Sequence, residues 1–217
     1  MISSAIILAG GRGSRLAPWP APKCILPLNG VSLIEHLLTH LEASAIPRAI
    51  VCTGYRASAV EAAVRGRRGA LPVEFSNAGE DAEMGARLLQ ARDEHHVAGR
   101  CLILYGDEIA DVDLAALVEH HDRAGTLCTF TAYEQRIPFG VIRQGYILGD
   151  ETVLVNIGFA IIEEPAWGLL HPEDGLSDWI NRVNAATRSP SVYLHEGRRA
   201  TVNSVAELQQ AERLWAS

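Results

Sequence analysis

The sequence predicts an α/β protein in which a mostly parallel sheet lies between two layers of helices, a three-layer α/β/α arrangement. Short apolar runs alternate with stretches of helical periodicity over the first 133 residues. Strands joined by helices of this length form right-handed crossovers, which produce parallel sheets covered on both faces. The chain of 217 residues has 48% hydrophobic and 21% charged residues. These values predict a single domain, 1–217, with a sizeable core.

Two patterns of apolar residues predict the secondary-structure elements. Apolar runs bounded by glycine or turn residues predict strands at 3–9, 48–53, 71–75, 100–105 and 126–133. Apolar residues spaced three and four apart predict helices at 31–43, 57–65, 81–94 and 112–124. Residues 138–160 have the pattern of short strands and turns. After them we predict helices at 163–170, 176–186 and 205–215, with a strand at 192–195.

Charge and composition exclude several classes of function. The net charge of −7 argues against a nucleic-acid partner, because phosphate backbones are bound by basic surfaces. A small phosphorylated ligand remains compatible, since Arg12, Arg15 and Lys23 lie close together in the sequence. The apolar runs are too short to span a membrane, and no charged segment precedes the first one. We therefore expect a cytoplasmic protein with no membrane partner. Three of the four cysteines lie in apolar runs and are predicted to be buried thiols.

A glycine-rich loop at 10–16 follows the first predicted strand, with the sequence Gly-Gly-Arg-Gly-Ser-Arg-Leu. Glycines let backbone N–H groups approach an anion closely. The loop matches neither G-x-G-x-x-G nor G-x-x-x-x-G-K-[ST], so it is a phosphate loop of a third kind. Lys23, which follows it, is the only lysine of the chain. Lysine is a compact point charge, whereas arginine is a planar fork, and we expect Lys23 to fit among phosphate oxygens.

A carboxylate follows another predicted strand, in Tyr105-Gly106-Asp107. Mg²⁺ is usually held by one or two carboxylates together with substrate phosphates. Ligands of open α/β sheets bind at the carboxyl ends of the strands, where Asp107 and the glycine loop should meet. The alternative for Asp107 is a cap of the next helix.

These segments resemble the sugar-1-phosphate nucleotidyltransferases. That family opens with L-A-G-G-x-G-[ST]-R-L, then P-K and P, and the chain matches it at 8–16, 22–23 and Pro27. Residues 105–112 resemble the Y-G-D-G-V-x-D-V segment of the glucose-1-phosphate cytidylyltransferase branch, and 156–158 resemble a sugar-binding N-x-G. The resemblance covers nearly the whole chain. It implies a Rossmann-like nucleotide-diphospho-sugar transferase fold with a mostly parallel mixed sheet.

The resemblance also implies an activity. An NMP group would pass from an NTP to a sugar-1-phosphate, or to a related phosphorylated cyclitol or alcohol, with release of pyrophosphate and with Mg²⁺ as cofactor. CTP is slightly favoured by the match at 105–112, and GTP, UTP and dTTP remain open. The implied partners are the NTP and a phosphorylated small-molecule acceptor, and a homo-oligomer remains open.

The family mechanism implies roles for the matching residues. Arg15 would hold the departing β- and γ-phosphates, Lys23 would lie between the α-phosphate and the acceptor phosphate, and Asp107 would hold Mg²⁺. The nucleotide-binding set implied by the resemblance is Leu8, Ala9, Gly10, Gly11, Gly13, Ser14 and Gly85. The sugar-binding residues implied are Gly140 and Asn156.

The chain departs from the family at two places. Most members have a second metal-binding Asp before the last helix, where this chain has Asn203, as some uridylyltransferases do. We expect Asp107 and Asn203 to be the metal ligands, with a helix-cap neighbour as the alternative for Asn203. Many members also have an E-K-P segment whose lysine binds the sugar phosphate, and this chain has no such lysine. Neither Arg136 nor Arg143 is assigned to replace it.

Two alternatives to a sugar-1-phosphate nucleotidyltransferase follow from these departures and from the shared opening loop. One is a catalytically silent relative that binds a nucleotide or sugar nucleotide and acts as a regulatory protein. The other is a transferase of the molybdopterin-guanylyl type, against which the sugar-type segment at 156–158 argues.

Overall fold

The structure is a computed structural model that describes residues 1–12, 21–137, 141–143, 146–186 and 191–216. Its strands are β1 (Ser4–Leu8), β2 (Pro27–Leu28), β3 (Val31–Ser32), β4 (Ala49–Thr53), β5 (Val73–Asn77), β6 (Cys101–Tyr105), β7 (Glu108–Ala110), β8 (Cys128–Ile137), β9 (Val141–Arg143), β10 (Tyr146–Leu148), β11 (Glu151–Ile162), β12 (Ser191–His195) and β13 (Arg199–Thr201). Its α-helices are α1 (Leu33–Ala43), α2 (Ala57–Arg65), α3 (Met84–Glu94), α4 (Leu114–Ala124), α5 (Leu176–Ala186) and α6 (Val205–Trp215). Short 3-10 helices span Lys23–Ile25 and Glu164–Leu169.

Seven strands form the central sheet in the order β12-β8-β11-β6-β1-β4-β5. β11 runs antiparallel to its two neighbours, β6 and β8. The other pairs in the sheet are parallel. The prediction of a mostly parallel mixed sheet is therefore confirmed. The carboxyl ends of β1, β4 and β6 meet at one edge, which is where ligands of such sheets bind.

Helices cover both faces of the sheet because its strands are apolar on both sides. In β1, Ala5 and Ile7 belong to one buried cluster and Ile6 to the other. Buried side chains from α1, α2, α4 and α6 complete the first cluster, and those from α3 and α5 complete the second. Each fully buried Leu or Ile contributes about 1.5–3 kcal/mol. The three-layer α/β/α prediction is confirmed.

β11 is the largest difference from the predicted elements. Residues 138–160 were predicted to form short strands and turns, yet β11 is a strand of 12 residues paired with both β8 and β6. A bulge between Asn156 and Ala160 interrupts its register with β8. Gly158 within this bulge has φ +73°, a conformation that favours glycine. The glycine and the turn-like composition predicted an interrupted segment. The strand is nevertheless continuous, because it is stabilised by pairing with β6 and β8.

Smaller differences concern element boundaries. α1 begins at Leu33 rather than at residue 31, because the Ser32 hydroxyl accepts a hydrogen bond from the Glu35 N–H and caps the helix. The segment predicted as a helix at 163–170 is a 3-10 helix. α2, α5 and α6 have the predicted bounds. The ribbon formed by β7 and β13 was not predicted.

The cysteines form no disulfide: all four are free and buried. Burial raises the pKa of the Cys24 and Cys52 thiols to about 12, so neither is a thiolate near neutral pH. The prediction of buried thiols is confirmed. Separately, none of the helices in the described segments has the length and apolar content that a membrane crossing requires.

Candidate active site

The carboxyl ends of β1 and β6 open into a cavity of about 360 Å³. It is lined by Leu8, Ala9, Gly10, Gly11, Lys23, Cys24, Met84, Arg87, Tyr105, Gly106 and Asp107. The structure thus brings together the start of the glycine loop, the only lysine and the strand-end carboxylate, as the sequence predicts. Their individual chemical roles remain predictions.

Lys23 contacts both candidate metal ligands, Asp107 and Asn203. Its side chain leaves the 3-10 helix after the glycine loop, and the residue is only 7% exposed. The ammonium Nζ donates a hydrogen bond to Asn203 Oδ1 at 2.5 Å and one to Asp107 Oδ2 at 3.4 Å. Three segments far apart in sequence therefore converge on one ammonium group.

Asn203 has two functions in this arrangement. Its backbone N–H donates to Glu207 Oε2 at 2.6 Å, just before Ser204 caps α6. Its side chain is directed instead to Lys23. The helix-cap alternative therefore describes the Asn203 backbone, whereas its amide oxygen accepts a hydrogen bond from Lys23, which lines the cavity.

The ribbon of β7 and β13 connects the two candidate metal ligands. Thr201 of β13 is paired with Glu108 of β7, and the Val202 N–H donates to the Asp107 carbonyl at 3.4 Å. Glu108, which is 4% exposed, accepts hydrogen bonds from Arg199 Nε and Thr201 Oγ1, each at 2.5 Å. Burial raises the pKa of Glu108, and the Arg199 and Thr201 contacts oppose that shift.

Arg87 is a cavity residue that the sequence did not single out. It is 7% exposed, and its guanidinium donates to the carbonyls of Thr53 at 2.8 Å, Glu80 at 3.0 Å and Ala82 at 3.0 Å. Burial lowers its pKa. Within the described part of the chain, the hydrogen-bond acceptors of Arg87 are backbone carbonyls. Its position depends on long-range packing, so no local pattern could have identified it.

The glycine at position 10 is explained by Arg87. A Cβ on Gly10 would lie 2.0 Å from Arg87 Nη1, whereas a Cβ on Gly11 would meet nothing within 4 Å. The same guanidinium would meet a Cβ on Gly54 at 2.3 Å. Gly10 is therefore needed so that the buried arginine can pack against the loop after β1.

Gly85 has a packing reason to be glycine. Its N–H donates to the Asp174 carbonyl at 2.9 Å, and a Cβ there would lie 2.0 Å from the His171 carbonyl oxygen. The Asp174 carboxylate pairs with Arg182, which holds the pKa of Asp174 down to about 2. The loop at 171–174 thus supports the first turn of α3, from which Met84 and Arg87 reach the cavity.

Asn156 lies beside the cavity, at the β11 bulge. Its Oδ1 accepts a hydrogen bond from the Gly158 N–H at 3.0 Å, and its side chain also hydrogen-bonds Tyr105. A Cβ on Gly158 would lie 2.4 Å from the Tyr105 ring. Burial and the nearby Asp107 charge raise the pKa of Tyr105 to about 12, so its hydroxyl stays protonated. The structure therefore places Asn156 next to Tyr105, at the end of β6 that leads into Asp107.

The remaining candidate residues divide into two groups. Gly13, Ser14, Arg15 and Gly140 lie outside the described residues. Arg12 is described, and its guanidinium forms ion pairs with Glu80 at 3.0 Å and Asp81 at 2.8 Å. Arg136 is exposed and pairs with Asp150.

The donor set fits a magnesium ion in part. Asp107 and Asn203 offer a carboxylate oxygen and an amide oxygen, both of the hard type that Mg²⁺ prefers. Among the described residues, no group of three or more His, Cys, Asp and Glu side chains could hold a metal. The pair therefore suits an ion whose other ligands are phosphate oxygens and water.

Comparisons with known proteins agree with this geometry. A model of the MobA-like NTP transferase domain family matches residues 5–216. The chain is 22% identical to a probable glucose-1-phosphate cytidylyltransferase from Bacillus subtilis, over 97% of this chain and 95% of that protein. It is 28% identical to a putative mannose-1-phosphate guanyltransferase from Sulfolobus acidocaldarius, over 89% of this chain but only 58% of that protein's length.

Solved structures show the same fold. A putative glucose-1-phosphate thymidylyltransferase from Bacillus anthracis, solved with a sucrose, superposes with a TM-score of 0.77. The match is at 22% sequence identity and covers 97% of this chain and 94% of that one. The predicted Rossmann-like nucleotidyltransferase fold is confirmed.

The chain therefore belongs to the MobA-like NTP transferase domain family. The two curated relatives described above are named as a cytidylyltransferase and a guanyltransferase of sugar-1-phosphates. The predicted family resemblance is confirmed at this level, which covers several nucleotides and several sugars.

Proposed function

We propose that this chain, as a single domain over residues 1–217, transfers NMP from an NTP to a phosphorylated acceptor and releases pyrophosphate. The acceptor is a sugar-1-phosphate or a related phosphorylated cyclitol or alcohol, and the reaction depends on Mg²⁺. The observation that carries this proposal is the convergence of Lys23, Asp107 and Asn203 beside a glycine-lined cavity. The family match and the names of the relatives support it.

The chemistry requires positioning rather than a covalent enzyme intermediate. An oxygen of the acceptor phosphate bonds to the α-phosphorus of the NTP, while the bond from that phosphorus to the α–β bridging oxygen breaks. Pyrophosphate leaves with the electron pair of the broken bond. In-line transfers of this kind gain most of their rate from alignment and charge neutralisation.

The side chains then have separate tasks. Gly10 and Gly11 leave room for the nucleotide to approach the backbone, and Arg15 holds the departing phosphates. Lys23 neutralises charge where the α-phosphate and the acceptor phosphate meet. Asp107 and Asn203 would hold Mg²⁺, which would supply Lewis-acid charge next to the phosphates.

The finer choice of substrates is also a proposal. CTP is slightly favoured by the segment at 105–112 and by the name of the Bacillus subtilis relative. The guanyltransferase name of the Sulfolobus acidocaldarius relative keeps GTP open, and UTP and dTTP also remain candidates. On the acceptor side, Asn156 and Gly140 would contact the sugar or its substitute.

A nucleotide screen tests the proposal. The melting temperature is measured with Mg²⁺ and each of ATP, CTP, GTP, UTP and dTTP. A ligand at about 100 times its Kd stabilises the folded state by about 2.7 kcal/mol, which gives a readable shift. Pyrophosphate release is then assayed with the stabilising nucleotide and a panel of phosphorylated acceptors. We expect a shift with one nucleotide and release with at least one acceptor.

Two variants serve as controls. Lys23→Ala should lose pyrophosphate release. Arg123 is an exposed cation at the C-terminal end of α4, and Arg123→Met should retain pyrophosphate release. A nucleotide shift without pyrophosphate release for any acceptor would favour the catalytically silent relative. No shift and no release with any combination would contradict the proposed function.

A further inference from the structure

The ammonium of Lys23 lies where a metal ion would have to bind. It is within hydrogen-bond distance of both candidate metal ligands, 2.5 Å from Asn203 Oδ1 and 3.4 Å from Asp107 Oδ2. A Mg²⁺ ion bound to the same two oxygens would need to be about 2.0–2.1 Å from each. The ammonium and the ion therefore cannot occupy this position together.

The local charge does not favour a divalent ion while Lys23 is in place. The Lys23 ammonium forms an ion pair with the Asp107 carboxylate, and the Asn203 amide carries no charge. The adjacent carboxylate of Glu108 is bound by Arg199 and Thr201. Lys23, Asp107 and Asn203 together carry no net negative charge, so a hydrated Mg²⁺ gains little on approaching them.

We propose that Lys23 is a placeholder cation that keeps the metal position closed until a nucleotide arrives. This proposal rests on the proposed function and adds an order of events to it. The triphosphate, with its own negative charge, draws the Lys23 ammonium from Asn203 and Asp107 toward the phosphates. Those two oxygens then become available, and the metal enters together with the nucleotide rather than before it.

The choice of lysine suits this exchange. A lysine side chain has a flexible four-carbon stem and a single charged atom, so it can move between two sets of oxygens. An arginine would hold a carboxylate with two parallel hydrogen bonds and release it less readily. Lysine occurs only at position 23, and the other 18 of the 19 lysine and arginine residues in the sequence are arginines.

The test measures metal binding without nucleotide and without turnover. Mn²⁺, as a paramagnetic substitute for Mg²⁺, is titrated into the full chain, and free Mn²⁺ is followed by electron paramagnetic resonance. We expect Lys23→Met to bind Mn²⁺ at least about tenfold more tightly than the wild type, because one opposing charge is removed from contact range. Arg123→Met changes the net charge equally at an exposed position of α4 and should bind Mn²⁺ as the wild type does.

A second variant protects the test against a folding defect. Lys23→Gln keeps a polar side chain that can donate to Asn203, and it should also bind Mn²⁺ more tightly than the wild type. The melting temperature of each variant is measured to show that it is folded. Equal Mn²⁺ affinity in the wild type and in a folded Lys23 variant would overturn the proposal.

The test separates this proposal from the proposed function. If the chain releases pyrophosphate but Mn²⁺ affinity does not depend on Lys23, the placeholder is wrong and the transferase stands. If Mn²⁺ affinity rises in the Lys23 variants but no acceptor supports pyrophosphate release, the placeholder is supported and the proposed reaction fails.

A nonhydrolysable NTP analogue provides a further test. We expect it to raise Mn²⁺ affinity strongly in the wild type and only weakly in Lys23→Met. Equal increases in the two proteins would count against the placeholder.

Discussion

The proposed nucleotide side and the proposed acceptor side of the site are constructed differently. On the nucleotide side, Lys23 and Arg87 are each only 7% exposed, and both are held by hydrogen bonds to segments distant in sequence. On the proposed acceptor side, Asn156 is exposed.

The difference indicates which substrate the fold is built around. The two buried cations occupy defined positions before a nucleotide binds: Arg87 is held by backbone carbonyls, and Lys23 is held by Asp107 and Asn203, from which it moves to the phosphates in our proposal. Asn156, by contrast, is exposed, and its Oδ1 accepts a hydrogen bond only two residues away, from the Gly158 N–H. We infer that the nucleotide side carries the reaction common to the family and that the acceptor side carries the choice of acceptor.

The largest expected effect comes from Lys23→Arg. This variant keeps the positive charge but replaces the ammonium with a planar guanidinium. The guanidinium should bind Asp107 with two hydrogen bonds instead of moving to the phosphates. We expect kcat/KM for pyrophosphate release to fall about 10²–10³-fold, as for loss of one preorganised donor. The melting temperature should stay close to that of the wild type. Turnover near the wild-type value would contradict the role given to Lys23 and remove the contrast between the two sides.

The next effect concerns the ribbon of β7 and β13. Arg199→Met leaves the Glu108 carboxylate buried without its cation, which should cost about 3–5 kcal/mol in the free energy of unfolding. Urea denaturation measures this loss. Because burial raises the Glu108 pKa, Glu108 takes up a proton at a higher pH in the folded protein than in the unfolded chain. The loss should therefore shrink as the pH falls and Glu108 becomes protonated, and should be greatest above its folded-state pKa.

The double variant Glu108→Gln with Arg199→Met is the matched control for the ribbon. It removes the uncompensated charge and should recover part of the lost stability. A single Arg199→Met variant as stable as the wild type at neutral pH would show that the ribbon does not depend on this ion pair.

A smaller effect distinguishes two neighbouring glycines of the nucleotide side. Gly10→Ala places a Cβ against the Arg87 guanidinium and should reduce the free energy of unfolding by about 1–3 kcal/mol, through overpacking. Gly11→Ala meets no atom within 4 Å and should leave stability nearly unchanged. Thermal and urea unfolding of the two unliganded variants give the comparison. Equal stability of the two would mean that Arg87 adjusts without cost.

The smallest effect is expected on the acceptor side. Asn156→Ala should raise the KM of the acceptor by about two- to tenfold, the value of one hydrogen bond, while the Kd of the nucleotide stays the same. Asn156→Asp keeps an acceptor for the Gly158 N–H but adds a negative charge near a phosphorylated substrate, so its acceptor KM should be higher still. A change in the nucleotide Kd, with the acceptor KM unchanged, would contradict the assignment of Asn156 to the acceptor side.

Much of the fold could be predicted from local sequence patterns. The runs that form β1, β4 and β6, and the periodic stretches that form α2, α5 and α6, need only a count of apolar spacings. The loop start, Lys23 and Asp107 were predicted to share one edge because parallel strands end together, and they line one cavity.

The sequence by itself thus determined the fold class, the family and the residues at the strand ends, since these depend on patterns within short segments. Only the tertiary structure decided that β11 is one long strand, that Arg87 packs against Gly10, and that Lys23 bridges Asp107 and Asn203. Each of these features is a contact between residues separated by tens to more than a hundred positions. Such contacts follow from how the layers pack, and no local periodicity encodes them.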